Sequence, residues 1–329
     1  MRFSKIVVLF FFCFAMQIGA AQQQDSVAVD RQVFQITPEL TYSYKAPKTW
    51  DMFRFIPQDL YDLGKFTVQK ENLKWDGLAL GSTLVILPYD QKLIEDSGKL
   101  GERLGGWDKP SHYKRILGLE VIPTSISSAF YYIGNGNTTL LLSGFFYAVG
   151  KIGPDDYRAL TTANELVEVL VSVGITTQTI KRMSGRQSPL VAIRDGNDGG
   201  AWHPFPSFAA YQSTTPNFDA MPSGHMATYF ATLMVIATNY SEYKWIKPVG
   251  YTLGGALAFN MMSGKVHWAS DYPLAVLIGC VIGKNIAERR IVKTSTALPG
   301  AKEKKTTFNT QYNFNRIYNT NVVGATITF

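Results

Sequence analysis

Apolar segments separated by short polar or Gly/Pro-rich breaks fill the chain from about residue 75 to residue 286. Their charge-free stretches are mostly about 10 to 17 residues long, between the length of a buried core helix and that of a membrane-spanning helix. The pattern therefore predicts an all-α bundle and leaves membrane embedding open. The predicted helices are Leu78–Leu87, Ile116–Ile133, Thr138–Val149, Leu160–Ser184, His225–Asn239, Ile246–Ser263 and Tyr272–Ile286.

The N-terminal segment has a different pattern. In residues 1–21, two basic residues precede an apolar run that ends in small residues, which is typical of a cleaved secretory signal. A membrane anchor is the alternative, but the run is shorter than the roughly 20 residues that a spanning helix needs. Residues 22–50 are polar and predict an extended lead-in. Trp50–Phe66 predicts an amphipathic helix broken near Pro57, which either covers the core or lies on a membrane surface.

The C-terminal segment changes character again. Residues 294–306 carry Pro, Gly and several lysines, which predicts a linker after a helical domain spanning 51–293. Residues 307–329 show short runs of alternating apolar and polar positions around a turn, which predicts a short β-like tail. Such a tail also resembles the ending of an outer-membrane strand, but one hairpin cannot close a barrel.

Charge and cysteine content restrict the candidate partners. The chain has 32 Lys and Arg and 25 Asp and Glu, and the predicted signal removes two basic residues, so the mature net charge is 30 − 25 = +5. This mild excess favours an anionic membrane or a phosphorylated ligand, and the absence of a like-charge block argues against nucleic acid. Cys13 leaves with the signal and Cys280 stands alone, so no internal disulfide is expected. We expect an exported protein of the periplasm or cell envelope, with its oligomeric state undefined.

The segment Met221–His225 is the first candidate for chemistry. It directly precedes a predicted helix, so its backbone N–H groups, above all that of Gly224, would point at a bound phosphate. The Ser223 hydroxyl would add a donor. An ordinary N-cap at Ser223 explains the same residues without a ligand. The long stretch Leu190–Met221 before it predicts a lid or wall of a site.

Two further candidates lie on either side of that segment. Asp271 follows His267 by four residues, so its carboxylate can accept the imidazole N–H and leave the other nitrogen as a nucleophile. Asp271 is equally explained as a helix N-cap. Lys181 falls on the apolar stripe of a predicted helix, where a buried ammonium needs an anion. The alternative is a lysine that reaches solvent at the helix end beside Gly185.

In this order and spacing, the three candidates resemble the motifs of the type 2 phosphatidic acid phosphatase and vanadium haloperoxidase superfamily. Lys181 corresponds to the lysine that opens the first motif, and the Pro-Ser-Gly-His motif is intact at Pro222–His225. The His267 to Asp271 spacing matches the end of the third motif. The resemblance covers about residues 180–286 by motif, and we expect it to extend to the whole helical body.

The resemblance implies an all-α bundle in which the motifs converge on one anion site. It implies that His267 forms a phosphohistidine, that Asp271 orients His267, and that His225 protonates the departing oxygen and then activates water. No metal or other cofactor is implied, and vanadate would apply only to a haloperoxidase. The groups implied to hold the phosphoryl oxygens are Lys181, Ser223 and Gly224.

Two arginines of the family motifs are replaced, by Ser188 and by Met261. Each would hold the phosphoryl group in a bidentate clamp, and the loss of one comparable donor costs about 3 to 4 kcal/mol in transition-state stabilisation. We hypothesise that Arg186 or Lys265 turns inward as a replacement. The sequence thus predicts a phosphatase of monoesters, lipid phosphates or pyrophosphates, with an inactive phospholipid-binding or scaffolding member as the main alternative and a vanadate peroxidase as a weaker one.

Overall fold

Helices make up most of the protein. The computed structural model describes residues 30–107, 112–116, 119–295, 309–317 and 320–328. Within these ranges the helical prediction is confirmed, although the bounds differ. The α-helices are α1 Asp51–Arg54, α2 Ile56–Val68, α3 Leu73–Ile86, α4 Asp90–Arg103, α5 Ile126–Ile133, α6 Gly136–Lys151, α7 Tyr157–Ser184, α8 Pro189–Asp195, α9 Phe208–Ser213, α10 Gly224–Asn239, α11 Ile246–Ser263 and α12 Tyr272–Arg290.

Helices α10 and α12 pack side by side at the centre of the apolar core. Gly279 and Gly283 of α12 face the backbone of Ala227 and Ala231 on α10. Because glycine has no Cβ, the two helix axes can approach closely at these positions. Since α10 carries His225 in its first turn and α12 directly follows Asp271, this packing fixes the distance between two of the predicted site segments.

We expect Gly279→Ala to lower the free energy of unfolding by about 1 to 3 kcal/mol, because the new methyl group would overlap the Ala227 carbonyl oxygen and force the helices apart. Gly255→Ala on α11 is the control, because its Cβ would meet nothing and alanine favours a helix by up to about 1 kcal/mol. Urea unfolding of both variants measures the difference. Equal stability of the two would contradict this account of the α10–α12 contact.

The segment predicted as an extended lead-in forms a paired hairpin. Strands β1 (Arg31–Thr37) and β2 (Leu40–Lys45) are antiparallel, and β5 (Val292–Ser295) adds to β2 as a third strand. Tyr42 and Tyr44 are buried with Ile36 and Ile291 in a small apolar cluster. The weak alternation in this region therefore marks a real strand pair, and the first two residues of the predicted linker belong to β5.

The prediction of a single helix over Ile116–Ile133 is wrong in its first half. Strands β3 (Tyr113–Ile116) and β4 (Leu119–Pro123) form an antiparallel hairpin, and α5 begins only at Ile126. Ser125 caps α5, its Oγ accepting a hydrogen bond from the Ser128 N–H at 3.1 Å. An apolar run that contains β-branched residues and ends at proline suits a strand as well as a helix, so periodicity alone could not separate the two.

Helix α4 has no counterpart in the sequence prediction. Most of its residues are charged or polar, and its buried face consists of Asp90, Ile94, Ser97 and Gly101. Its few apolar residues lie among many charged ones, so the helix did not stand out as one of the long apolar segments. The predicted break near Pro57 is present, because α1 ends at Arg54 and α2 begins at Ile56.

Residues 295–329 form a second compact unit. Its strands β6 (Asn309–Ile317) and β7 (Thr320–Thr328) pair antiparallel in continuous register from Asn309 opposite Thr328 to Ile317 opposite Thr320. This confirms the short C-terminal β-like tail. The predicted signal segment, residues 1–21, and most of the predicted linker, 296–306, lie outside the described residues.

Helix α7 alone among the described helices is both long and apolar enough to cross a membrane, by length and composition. Inside the protein, however, 72% of its apolar window is buried. A core helix of a soluble bundle passes the same test, so α7 is weak evidence of membrane association.

Candidate active site

Three segments distant in sequence meet at one end of the bundle. They are the last turn of α7 with Lys181, the start of α10 with Gly224 and His225, and the connection from α11 to α12 with His267. The rings of His225 and His267 lie 5.9 Å apart between centroids, nearly edge to face. A Cβ built on Gly224 would lie 3.9 Å from Lys181 Nζ. The predicted site residues of all three motifs therefore surround one space.

Lys181 is held inside the protein at the C-terminal end of α7. Only 6% of the residue is exposed, and its Nζ lies 3.6 Å from Oδ2 of Asp219. Gly185 ends the helix in the left-handed region at φ +56°, and any side chain there would overlap the backbone of His203. Lys181 is therefore buried and does not reach solvent at the helix end, which excludes the alternative interpretation of this residue.

The N-terminus of α10 presents Ser223 and Gly224 to the site. Ser223 is the N-cap, and its Oγ accepts a hydrogen bond from the Met226 N–H at 3.3 Å. The capping role is thus real, yet the hydroxyl hydrogen can still be donated to a ligand. The Ser223 N–H donates to the carbonyl oxygen of Asp271 at 3.2 Å, which ties this helix start to the third motif. A helix of this length carries a positive dipole end suited to an anion.

His225 lies against an aromatic ring that the sequence did not single out. The Tyr131 ring of α5 packs on it with 4.6 Å between centroids. Burial lowers the pKa of His225 to about 3, and repulsion between a protonated His225 and its neighbours His267 and Lys181 adds to this effect. The imidazole is therefore neutral near neutral pH when no ligand is bound. An anionic ligand beside Lys181 would offset those charges and raise the pKa.

His267 is buried next to the carboxylate of Asp271. Its Nδ1 lies 3.5 Å from Asp271 Oδ2, which is close enough for charge to act but longer than a good hydrogen bond. The same oxygen accepts the Trp268 N–H at 2.9 Å. Burial alone would raise the pKa of Asp271, but the charge of Arg186, the proximity of His267 and the Trp268 N–H outweigh it and lower that pKa below 3.8. An ionised Asp271 favours the tautomer with hydrogen on Nδ1, so Nε2 of His267 is left as the free nitrogen.

Arg186 points inward, as hypothesised, but towards carboxylates instead of the open space. Its fully buried guanidinium donates to Asp271 Oδ1 at 2.8 Å, to Ser270 Oγ at 2.7 Å and to Asp90 Oδ2 at 2.6 Å. It also donates to the Gly199 carbonyl oxygen at 2.9 Å, and the rings of Trp202 and Trp268 lie 4.9 and 5.3 Å from it. Arg186 therefore holds Asp271 in place, and its donors are directed away from a phosphoryl clamp.

Neither the second hypothesised replacement, Lys265, nor the two positions that replace the family arginines, Ser188 and Met261, supplies a cation to the site. Lys265 is exposed, so the prediction that it turns inward is wrong. Met261 is fully buried in the apolar core, and the Asn260 side chain beside it donates to Ser127 Oγ at 2.8 Å. Ser188 begins α8 and uses its backbone N–H on the Pro216 carbonyl oxygen. Both positions serve packing and backbone structure.

The predicted wall from Leu190 to Met221 is a structured segment that contains α8 and α9. Backbone hydrogen bonds attach it to the end of α7: Phe205 N–H to the Arg182 oxygen at 2.8 Å and Ala220 N–H to the Arg186 oxygen at 2.9 Å. The second bond fixes Asp219 beside Lys181. Asp219 could have been noticed from its position three residues before Pro222. No local signal marked Asp90 or Tyr131, because neither lies near a motif.

The comparison with known proteins agrees with the motif resemblance. A family model described as the PAP2 superfamily matches residues 162–290, which run from the first turns of α7 to the end of α12. Neither a curated protein nor a solved structure matched. Within the part of the chain that the structure describes, no group of three or more His, Cys, Asp or Glu side chains is arranged to hold a metal ion.

Proposed function

We propose that the protein hydrolyses phosphoric monoesters through a phosphohistidine. Residues 162–290 belong to the PAP2 superfamily, and membership of that family suggests phosphatase-type activity. The observation that carries the proposal is the convergence of Lys181, the α10 N-terminus, His225 and His267 on one space. That arrangement supplies a nucleophile, a proton-transfer group and anion donors at once.

In the first proposed step, Nε2 of His267 attacks phosphorus and the bond from phosphorus to the ester oxygen breaks. His225 gives a proton to the departing oxygen, so an alcohol leaves. In the second step, His225 takes a proton from water, the resulting hydroxide attacks phosphorus, and the P–N bond breaks to release phosphate. Because His225 is neutral in the free site, it must gain its proton when the anionic substrate binds.

The phosphoryl oxygens would be held by the Lys181 ammonium, the Gly224 N–H and the Ser223 hydroxyl. These donors need no metal, and the proposal is turnover without an added cofactor. The leaving group is a soluble alcohol or a lipid, and lipid pyrophosphates are included. The proposed location is the periplasm or cell envelope, reached through the predicted signal, where the helical body is either free or associated with the membrane.

A second candidate function is an inactive member that binds a phosphorylated lipid or serves as an envelope scaffold. It is favoured by the charges around the site, where Lys181 and Arg186 face three acidic residues, Asp90, Asp219 and Asp271. Such a site attracts a phosphate dianion only weakly, because the acidic charges offset the basic ones. The same shortage of cationic donors disfavours a peroxidase that holds vanadate permanently.

Release of inorganic phosphate from a soluble aryl phosphate and from short-chain phosphatidate, measured with a chelator present, tests the proposal. Turnover of either substrate supports a phosphatase, and their ratio reports the leaving-group class. Binding of phosphate without turnover of either ester would favour the inactive alternative.

We expect Lys181→Gln to raise the dissociation constant for inorganic phosphate by roughly 10- to 150-fold, because a hydrogen bond to a charged group contributes about 1.5 to 3 kcal/mol. Lys265→Gln is the matched control and should leave binding unchanged, because this lysine is exposed. Calorimetric titration measures both. Equal weakening in the two variants would mean that general surface charge, rather than the Lys181 ammonium, attracts the anion.

A further inference from the structure

Asp219 places a carboxylate on the wall of the proposed phosphoryl site. Its Oδ2 lies 3.6 Å from the Lys181 Nζ, and its side chain is about one-third exposed (30%) while that of the lysine is nearly buried. The Ala220 N–H bond to the Arg186 oxygen and a backbone bridge between Arg186 and Asp219 fix the chain at this point. The carboxylate is therefore a fixed part of the site.

A carboxylate beside an anion site repels most anions. An oxyanion bound to the Lys181 ammonium has oxygens close to Asp219. An unprotonated ligand oxygen and the Asp219 carboxylate repel each other, which weakens binding. A phosphoryl oxygen that carries hydrogen changes the sign of this contact, because the P–O–H group donates to the carboxylate in a short charge-assisted hydrogen bond. Phosphate monoesters offer such a hydrogen below their second pKa, which is about 6.

We propose that Asp219 is a specificity-determining residue whose carboxylate accepts a hydrogen bond from a protonated phosphoryl oxygen. The site then takes the monoanion of a phosphomonoester and rejects fully ionised oxyanions such as sulfate. This inference rests on the proposed phosphoryl site but not on turnover. It also explains how a site with more acidic than basic side chains can bind phosphate, since the ligand needs only one compensating cation.

The neutral state of His225 in the free site is consistent with this proposal. A neutral His225 adds no positive charge to that of Lys181, so the charge of a monoanion is balanced better than that of a dianion. The groups that face Asp219 from neighbouring elements include the Lys181 ammonium on α7, 3.6 Å away, and the Tyr211 phenol on α9. The pKa of Tyr211 is raised by burial and then by the Asp219 charge, so this phenol stays protonated across the range tested below.

The test is calorimetric titration of the full chain with inorganic phosphate and with sulfate, at about pH 5 and about pH 8, where the probe is respectively more and less protonated. For the wild type we expect phosphate to bind at least about 10-fold more tightly than sulfate at the lower pH. In Asp219→Asn, whose amide can donate to either anion, the preference should fall below about 3-fold, mainly through tighter sulfate binding. Asp198→Asn is the matched control, because Asp198 is an exposed residue of the same wall.

Each outcome is decisive. Equal affinity of the wild type for the two anions, or an unchanged ratio in Asp219→Asn, overturns the inference and leaves the proposed function intact. Tighter binding of both anions to Asp219→Asn by the same factor would make Asp219 a simple competitor for Lys181, which also overturns it. If the wild type, Asp219→Asn and Asp198→Asn all fail to bind either anion while their unfolding midpoints are unchanged, the phosphoryl site itself and the proposed function are contradicted.

Discussion

Replacement of His267 by alanine is expected to lower the rate of phosphate release by about 10⁴-fold or more, as the loss of a nucleophile does in other enzymes with covalent intermediates. The remaining groups can bind the phosphoryl group and polarise it but cannot form the P–N bond. Release of inorganic phosphate under saturating substrate measures the effect. Phosphate binding by the variant should change much less, because the anion donors lie on α7 and α10.

His112→Ala is the matched control for this variant. His112 is exposed and its backbone, not its ring, takes part in the hydrogen bonds to Ser128 and Thr124. Its removal should leave turnover within about 2-fold, as for most surface changes. Wild-type turnover in His267→Ala would eliminate the phosphohistidine route. Trapping of a phosphorylated chain that is lost in His267→Ala, but retained in His112→Ala, would identify the nucleophile directly.

Replacement of Arg186 by methionine is expected to lower the free energy of unfolding by about 3 to 5 kcal/mol near neutral pH, because it leaves Asp90 and Asp271 buried without their counter-charge. Urea unfolding measures the change. Arg194→Met is the control: Arg194 pairs with Asp195 on the surface, where an ion pair contributes about 0 to 1 kcal/mol. A loss below about 1 kcal/mol for Arg186→Met would show that neutral packing satisfies the site equally well.

The pH dependence of this difference follows from the lowered pKa of Asp271. A carboxyl group with a lowered folded-state pKa stabilises the protein above its ordinary pKa of about 4, and this contribution disappears as the pH falls through the folded-state value. In Arg186→Met the main cause of the lowering is absent. The gap between wild type and variant should therefore be largest near neutral pH and shrink below about pH 4, and a gap that grows on acidification would contradict the ion-pair account.

Local sequence was sufficient for the parts of the site that sit at helix ends. Pro222–His225 ends a loop and starts α10 by ordinary capping chemistry, and His267 to Asp271 leads into α12 through a short 3-10 turn in which Asp271 accepts the Trp268 N–H. Because helix starts are encoded locally, their order along the chain was readable. The side-chain roles in catalysis stay predictions, since geometry brings the groups together without showing a reaction.

The direction of Arg186 could not be read from the sequence. Helical spacing places it away from the position of the missing family arginine, and its inward turn depends on two carboxylates, one of them 96 residues earlier on α4. That helix was itself missed because the prediction followed long apolar segments, and most residues of α4 are charged or polar. The direction of Arg186 and the position of α4 both depend on contacts with residues distant in sequence. The same holds for the β3–β4 hairpin, which replaces the first half of a predicted helix.

The contact between Asp90 and Arg186 also ties the site to a part of the chain that precedes the family match. The family match begins at residue 162, so it omits Asp90 and the Tyr131 ring that supports His225. A fragment trimmed to the matched segment would keep each motif but bury the Arg186 guanidinium with half of its carboxylate partners. The segment that matches the family model therefore lacks two side chains, those of Asp90 and Tyr131, on which the site of this structure rests.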